Sequence, residues 1–327
     1  MTVTDRQDYV LDISQAAFDP DDAVARLNSL GFVVLRNAFP AEVIENVNAR
    51  AEKILQRPSI GGSIGYYMKD SAKKLYDPLL LGGPTVDLVT DERVIDIAER
   101  YLEGECVLSE VFLKHDLGID DVYFPLHRDF EAGGVMNEDM TITQEIMNNP
   151  FAVGAMIYLH DTREGAFCYS AGSHKLAVDQ GKNPANYPEE ERNRFMEKIV
   201  RIEGLAGDLV MFDDRGFHGP EQPVKISRRV IIFDHFKVSV FARATKWPLP
   251  VLLHDLGHLN QRQLRFLGLG ASSMRPYEMF HIHHYDRNPG YPIVARAYEG
   301  LFALDRLKRR LRSRLKGHRP SYLRPGM

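Results

Sequence analysis

The chain has 327 residues, 44% of them hydrophobic and 26% charged, which excludes global disorder and supplies ample apolar material for a core. A formal net charge of −4 gives no case for a nucleic-acid partner. Two cysteines, Cys106 and Cys168, exclude a disulfide scaffold and a cysteine-built zinc site. The opening MTVTDRQDYVLD lacks a basic segment followed by an apolar one, so no secretory signal is read there. The longest apolar run, residues 151–159, is far short of the roughly 20 residues of a membrane span. Free thiols and the lack of a signal lead us to expect a cytoplasmic protein.

In chain order, residues 21–30 read as a short helix, acidic at its start and followed by Gly31. Residues 32–36 (FVVLR) read as a strand. Pro40 opens a second helix through about Leu55, with Val43, Ile44, Val47 and Ile54 on one face. Residues 57–84 are broken by glycines and prolines and are expected to form a loop or lid. Their SIGGSIGYY stretch lacks the GxxxxGK[ST] of a phosphate cradle. A helix is predicted near 91–103, with Asp91 as cap and Gly104 as stop. Short β-rich runs follow near 106–113, 122–128, 151–159, 166–169, 208–213 and 229–238, the pattern of an all-β sandwich or barrel. Insertions at 130–150 and 176–200 interrupt them, the second with a helix predicted at 188–198. Beyond 240 the pattern is irregular and then helical.

Three stretches carry candidate chemistry. In Phe124-Pro125-Leu126-His127-Arg128-Asp129, the imidazole and carboxylate two residues apart share one face if the segment is a strand. The second stretch is GDLVMFDDRGFHGP, in which His218 follows an apolar strand. His127, Asp129 and His218 would make a 2-His-1-carboxylate face suited to non-haem Fe(II). The third is Ser227-Arg228-Arg229-Val230-Ile231, a basic pair entering a strongly apolar strand. Only one of these arginines can face inward, where it needs an anionic partner such as a carboxylate.

These stretches, together with GFVVLRNAFP, the run MIYLHD leading to AGSHK, and RRVII, resemble the phytanoyl-CoA dioxygenase family of Fe(II)/2-oxoglutarate oxygenases over roughly residues 25–237. Ala171 stands where the family commonly has proline. The resemblance implies a mainly β double-stranded β-helix, a cupin-like jelly roll with flanking helices. We expect one oxygenase domain over 1–327, with its β core at about 105–238. Helical support at 1–104 would precede it, and a lid with a basic helix at 240–327 would follow. The resemblance also implies iron on His127, Asp129 and His218, with 2-oxoglutarate and O2 as co-substrates. The family's arginine for the distal 2-oxoglutarate carboxylate typically stands eleven residues after the second histidine, which selects Arg229. Lys114, Tyr158 and Ser227 are further candidates for holding 2-oxoglutarate. The expected reaction is hydroxylation of a small organic substrate, with a secondary-metabolite intermediate as one candidate, and release of succinate and CO2. Desaturation, epoxidation, cyclisation and epimerisation share these cofactors. Related halogenases lack the carboxylate ligand, so Asp129 argues against halogenation. A non-catalytic jelly roll and a cupin-like metal isomerase are the competing classes.

The remaining histidines read as structural. His254 and His258 lack the glutamate of an HExxH site, and His160, His174 and His235 sit at turns or strands. His281, His283 and His284 fall in an aromatic stretch suited to packing, with a pocket wall or a second metal as alternatives. Residues 306–327 hold nine Lys/Arg and no acid, with leucines every four residues at 307, 311 and 315. Such a helix is expected to pack on the acidic body; docking on a membrane surface or acidic partner is the alternative.

Overall fold

The computed structural model describes residues 8–56, 66–68, 72–120, 125–137, 140–176, 181–241, 251 and 253–269. The histidines at 281–284 and the basic segment at 306–316 lie outside the described residues, as does most of the region after 240.

Helix α1 (Pro20–Leu30) begins where Asp19 accepts the Asp21 amide and ends where Gly31 turns left-handed, φ 86°. A side chain at Gly31 would also meet the Tyr169 hydroxyl and His174 Nδ1 at 2.5 Å, so glycine is needed twice over. Strand β1 (Val10–Asp12) pairs in parallel with β2 (Phe32–Arg36). Helix α2 (Ala41–Leu55) follows with Pro40 as its cap. Within the expected loop, β3 (Tyr66–Met68), β4 (Ala72–Leu75) and the unforeseen α3 (Gly83–Val89) are formed. Helix α4 (Glu92–Leu102) is capped by Asp91 as read, but Glu103 rather than Gly104 adopts the left-handed turn, φ 50°.

The remaining strands are β5 (Cys106–Asp116), β6 (Val135–Asn137), β7 (Met140–Thr141), β8 (Ala152–Tyr158), β9 (Thr162–Ser170), β10 (Ile199–Gly204), β11 (Leu209–Asp213), β12 (His218–Pro220) and β13 (Arg228–Lys237). Short helices α5 (Gln144–Met147), α6 (Glu189–Glu197), α7 (Val238–Phe241) and α8 (Gln261–Phe266) complete the set. The strand expected at 122–128 is absent among the described residues; its described part, 125–128, is a loop with one bridge at His127.

An eight-stranded sheet runs β1-β2-β11-β8-β13-β5-β4-β3, and a smaller sheet runs β10-β9-β12. Alternation along each strand of the large sheet divides two apolar layers. Val33, Leu35, Leu113, Val153, Ala155, Ile157, Leu209, Met211, Ile231 and Phe233 pack against α1 to α4 and α8. Val34, Met156, Tyr158, Val210, Phe212 and Val230 face Phe167, Tyr169, Val200 and Ile202 of the small sheet. The fold is therefore a jelly roll, mainly β with helices on the outer face. No helix of the described residues is long and apolar enough to cross a membrane.

Candidate metal and co-substrate site

His218 begins β12, and His127 lies beside it in an antiparallel bridge, each amide donating to the other's carbonyl at 2.8 and 2.9 Å. Asp129 follows on the same loop, its amide on the Asp214 carbonyl at 3.2 Å. One ligand atom each from His127, Asp129 and His218 lies within 4.8 Å of the others. The carboxylate spans both rings, Oδ1 at 3.4 Å from His127 Nε2 and Oδ2 at 3.2 Å from His218 Nε2.

Each imidazole is turned toward this point by its other nitrogen. His127 Nδ1 sits 2.8 Å from the Pro125 carbonyl and His218 Nδ1 3.0 Å from the Gly216 carbonyl. A carbonyl accepts, so Nδ1 carries the proton and Nε2 keeps a lone pair for a cation. Phe212 at 4.8 Å and Tyr169, nearly parallel at 6.4 Å, hold the His218 ring.

Burial works against ionising Asp129, but His218 and His127 outweigh it and hold the carboxyl well below its ordinary value. Burial likewise disfavours a charged His218, and Asp129 overcomes it, raising that imidazole. The Asp129 side chain nevertheless keeps 42% of its accessible surface, so this carboxylate opens onto a recess that solvent reaches.

Sequence reasoning missed Arg128, which sits between the two ligands and points the other way. It is fully buried, donates to the Tyr187 hydroxyl and the Ser173 carbonyl at 2.9 Å each, and lies 4.3 Å over the Phe217 ring. A buried arginine so satisfied fixes the loop carrying His127 and Asp129. The legible signal was a charged residue inside an HxD triplet.

The two arginines entering β13 face opposite ways, and Arg229 is not the inward one. Arg229 donates to Asn48 at 3.1 Å and Glu52 at 2.6 Å, both on α2, and so belongs to the helix-facing side with Ile231. Arg228 shares the inner face with Val230 and is buried. Its Nε and Nη2 donate to Asp116 at 3.0 and 2.8 Å. The inward arginine thus lies ten residues after His218, one fewer than the expected spacing. Nη1 of Arg228 is buried with no hydrogen-bond partner.

Lys114 is also inward, with Nζ 3.1 Å from Asp116, and burial lowers its ammonium to about 8 despite that carboxylate. Tyr158 faces inward too, but its hydroxyl is spent on the Ile202 carbonyl at 2.6 Å, tying the large sheet to the small one. Ser227 is drawn off by its 2.9 Å contact with His115 Nε2, whose strand partner is Arg229. His127, Asp129 and His218 are therefore brought together, and Lys114 and Tyr158 face the interior with Arg228. Arg229 and Ser227 are held elsewhere. His254, His258, His174 and His160 contact carboxylate or backbone acceptors outside this group.

A profile of the phytanoyl-CoA dioxygenase family matches residues 27–224. The chain belongs to that family. Membership makes it an enzyme of the Fe(II)- and 2-oxoglutarate-dependent oxygenase class. Among curated relatives, the ectoine dioxygenase of Stutzerimonas stutzeri (strain A1501) is 24% identical over 234 residues, 65% of this chain and 74% of the relative. Among solved structures, iron-bound EctD from S. alaskensis aligns with TM-score 0.55 at 19% identity, over 69% of this chain and 80% of that one. HygX from Streptomyces hygroscopicus, solved with nickel, 2-oxoglutarate and hygromycin B, aligns with TM-score 0.50 at 16% identity, over 66% and 86%. These structural likenesses concern the fold.

Proposed function

We propose that this family member oxidises a small organic substrate, by hydroxylation in the default case, using iron on His127, Asp129 and His218. The observation that carries the reading is the convergence of two Nε2 lone pairs and one carboxylate, each imidazole aimed by a carbonyl behind it. This donor set, nitrogen and oxygen on one face with a solvent-reached side, fits Fe(II) with open positions. The iron-bound EctD relative and the curated ectoine dioxygenase support the choice of metal.

The interior also fits 2-oxoglutarate. Lys114 and Arg228 bring two cationic side chains together beside Asp116, a setting that suits an incoming anion. The unpartnered Nη1 of Arg228 is a donor for a distal carboxylate. Arg228, with Lys114 beside it, therefore takes the role first read for Arg229. HygX, with 2-oxoglutarate bound in the same fold, supports 2-oxoglutarate as the co-substrate.

When bound, iron and 2-oxoglutarate supply the oxidising power, with O2 consumed and succinate and CO2 released. The chain's own residues position and insulate. Arg128 steadies the loop, Phe212 and Tyr169 fix His218, and the apolar lining of Met156, Phe167 and Val230 limits water. The two buried free thiols suit action in a reducing cytosol.

Succinate formation with Fe(II), ascorbate and 2-oxoglutarate, stimulated by a true substrate, tests the reading. Product mass separates oxygen insertion from loss of two hydrogens, which would favour desaturation or cyclisation. In the same assay Asp129→Ala should lose turnover and weaken Fe(II) uptake by at least about tenfold. Metal uptake equal to wild type would sink the assignment.

A further inference from the structure

The inner face of the large sheet is covered at its centre and bare toward β5. Met156, Tyr158, Val210 and Val230 are buried beneath the small sheet. Ile232 and Phe112, opposite each other in the β13–β5 ladder, are only half-buried. Ile232 packs on the same inner cluster, so the two form an apolar floor that solvent reaches. From Ile232 the floor continues through Met156 to β11, where the Phe212 ring lies 4.8 Å from His218. Phe112 is three strand spacings from β11, about 14 Å.

Strand β4 supplies the rim. Lys74 stands opposite Lys114, and residues facing each other across a ladder share a face, so Lys74 is inward. Two like charges so placed repel. The fold separates them by leading each to its own acid, Lys114 to Asp116 and Lys74 to Glu110, both at 3.1 Å. On the way the Lys74 ammonium crosses the floor, 3.5 Å from the centre of the Phe112 ring and 4.8 Å from that of Tyr76.

The partners in the Lys74–Glu110 pair are unequally exposed: the lysine side chain keeps 28% of its surface and the glutamate 53%. An incoming carboxylate can replace Glu110 on Lys74 at little cost, because Glu110 returns to water. An incoming cation would have to take Glu110 and leave Lys74 without a counter-ion, beside Lys114 and over Phe112. Asp234 lies two residues beyond Ile232 on β13, across from Gly154. Burial above all pushes its carboxyl well above the ordinary range, which weakens its opposition to an anion.

We propose that Lys74 anchors a carboxylate of the organic substrate, whose apolar body lies along the Phe112–Ile232 floor toward His218. This inference rests on the oxygenase reading and names its substrate class, a carboxylic acid with a hydrocarbon or aromatic body. Arg228 and Lys114 stay with the co-substrate, so the two anions are held by separate cations.

The test uses the full chain loaded with Ni(II) and 2-oxoglutarate. It is titrated calorimetrically with hexanoate and 3-phenylpropanoate, each against its neutral amide. At least one acid should bind about tenfold or more tighter than its amide, the scale of one charge-assisted contact. Lys74→Met should abolish that preference and Lys74→Arg should retain it. Glu110→Gln should leave acid binding unchanged or tighter, because a competing carboxylate is gone, whereas a mere structural brace would lose affinity in both Lys74→Met and Glu110→Gln. Acids bound no better than amides, a preference that survives Lys74→Met, or weakened acid binding in Glu110→Gln would overturn the anchor. A loss of 2-oxoglutarate affinity in Lys74→Met as large as the loss for the acid would overturn it too, by giving Lys74 to the co-substrate. Failure of the oxygenase reading itself would show separately, as absence of iron-dependent succinate formation by the wild-type chain.

Discussion

Exchanging one arginine at a time distinguishes two adjacent residues that the sequence makes nearly equivalent. Arg228→Lys keeps a positive charge beside Asp116 but removes the planar fork that donates through Nε and Nη2 and leaves Nη1 free. Losing a charge-assisted bond to a buried carboxylate costs about 1.5–3 kcal/mol, or roughly 10- to 100-fold in affinity. Arg229→Met breaks a pair with Glu52, whose side chain is 46% exposed, so about 0–1 kcal/mol and less than about fivefold is expected. The assay is calorimetric binding of 2-oxoglutarate to the Ni(II)-loaded protein. Near-normal binding by Arg228→Lys alongside a large loss in Arg229→Met would refute the orientation argument and restore the eleven-residue spacing.

Two further outcomes concern stability. His235 is fully buried, and burial lowers its imidazole to about 4, while an unfolded chain takes up that proton near 6.5. Stability should therefore fall as pH drops from about 6.5 toward 4, with up to about 1.4 kcal/mol per pH unit from this residue. His235→Phe should make that acid slope shallower by as much in denaturant unfolding; superimposable slopes would contradict it. Arg215 is buried against Asp213, which also accepts the Tyr101 hydroxyl at 2.5 Å. Arg215→Met should cost about 3–5 kcal/mol in the same measurement, because it strands a buried carboxylate, and a loss under about 1 kcal/mol would show the pair to be dispensable.

The legible parts of this fold were those written in local chemistry. Asp91 as a cap, Gly31 as a stop, and the FVVLR strand follow from short-range rules, and all are found, whereas the Asp19 cap, two residues before the expected helix start, was not read. The strand β10 was missed because Ile199–Gly204, although its burial alternates as a strand's does, is short and follows directly on helix α6, which hides its start. HxD convergence was read correctly for an incorrect reason: His127 and Asp129 meet on a loop tied to β12 rather than on a strand face. The Arg228/Arg229 choice was beyond local reading, since strand phase depends on how residues 221–227 return the chain from β12 to β13. Nothing in GDLVMFDDRGFHGP says which of its two adjacent aspartates finds a charged side-chain partner. Asp213 has Arg215 and Tyr101; Asp214 has neither.

Arg128 lends the metal ligands a dependence on distant parts of the molecule. The guanidinium reaches Ser173 and Tyr187, the latter packed edge-on to Phe195 and Phe217. Wear in that aromatic nest would loosen the segment from behind. Substitutions well outside the iron sphere would then be felt as a failure to retain the ion, and sorting variants of this enzyme by distance to the catalytic centre would misjudge them.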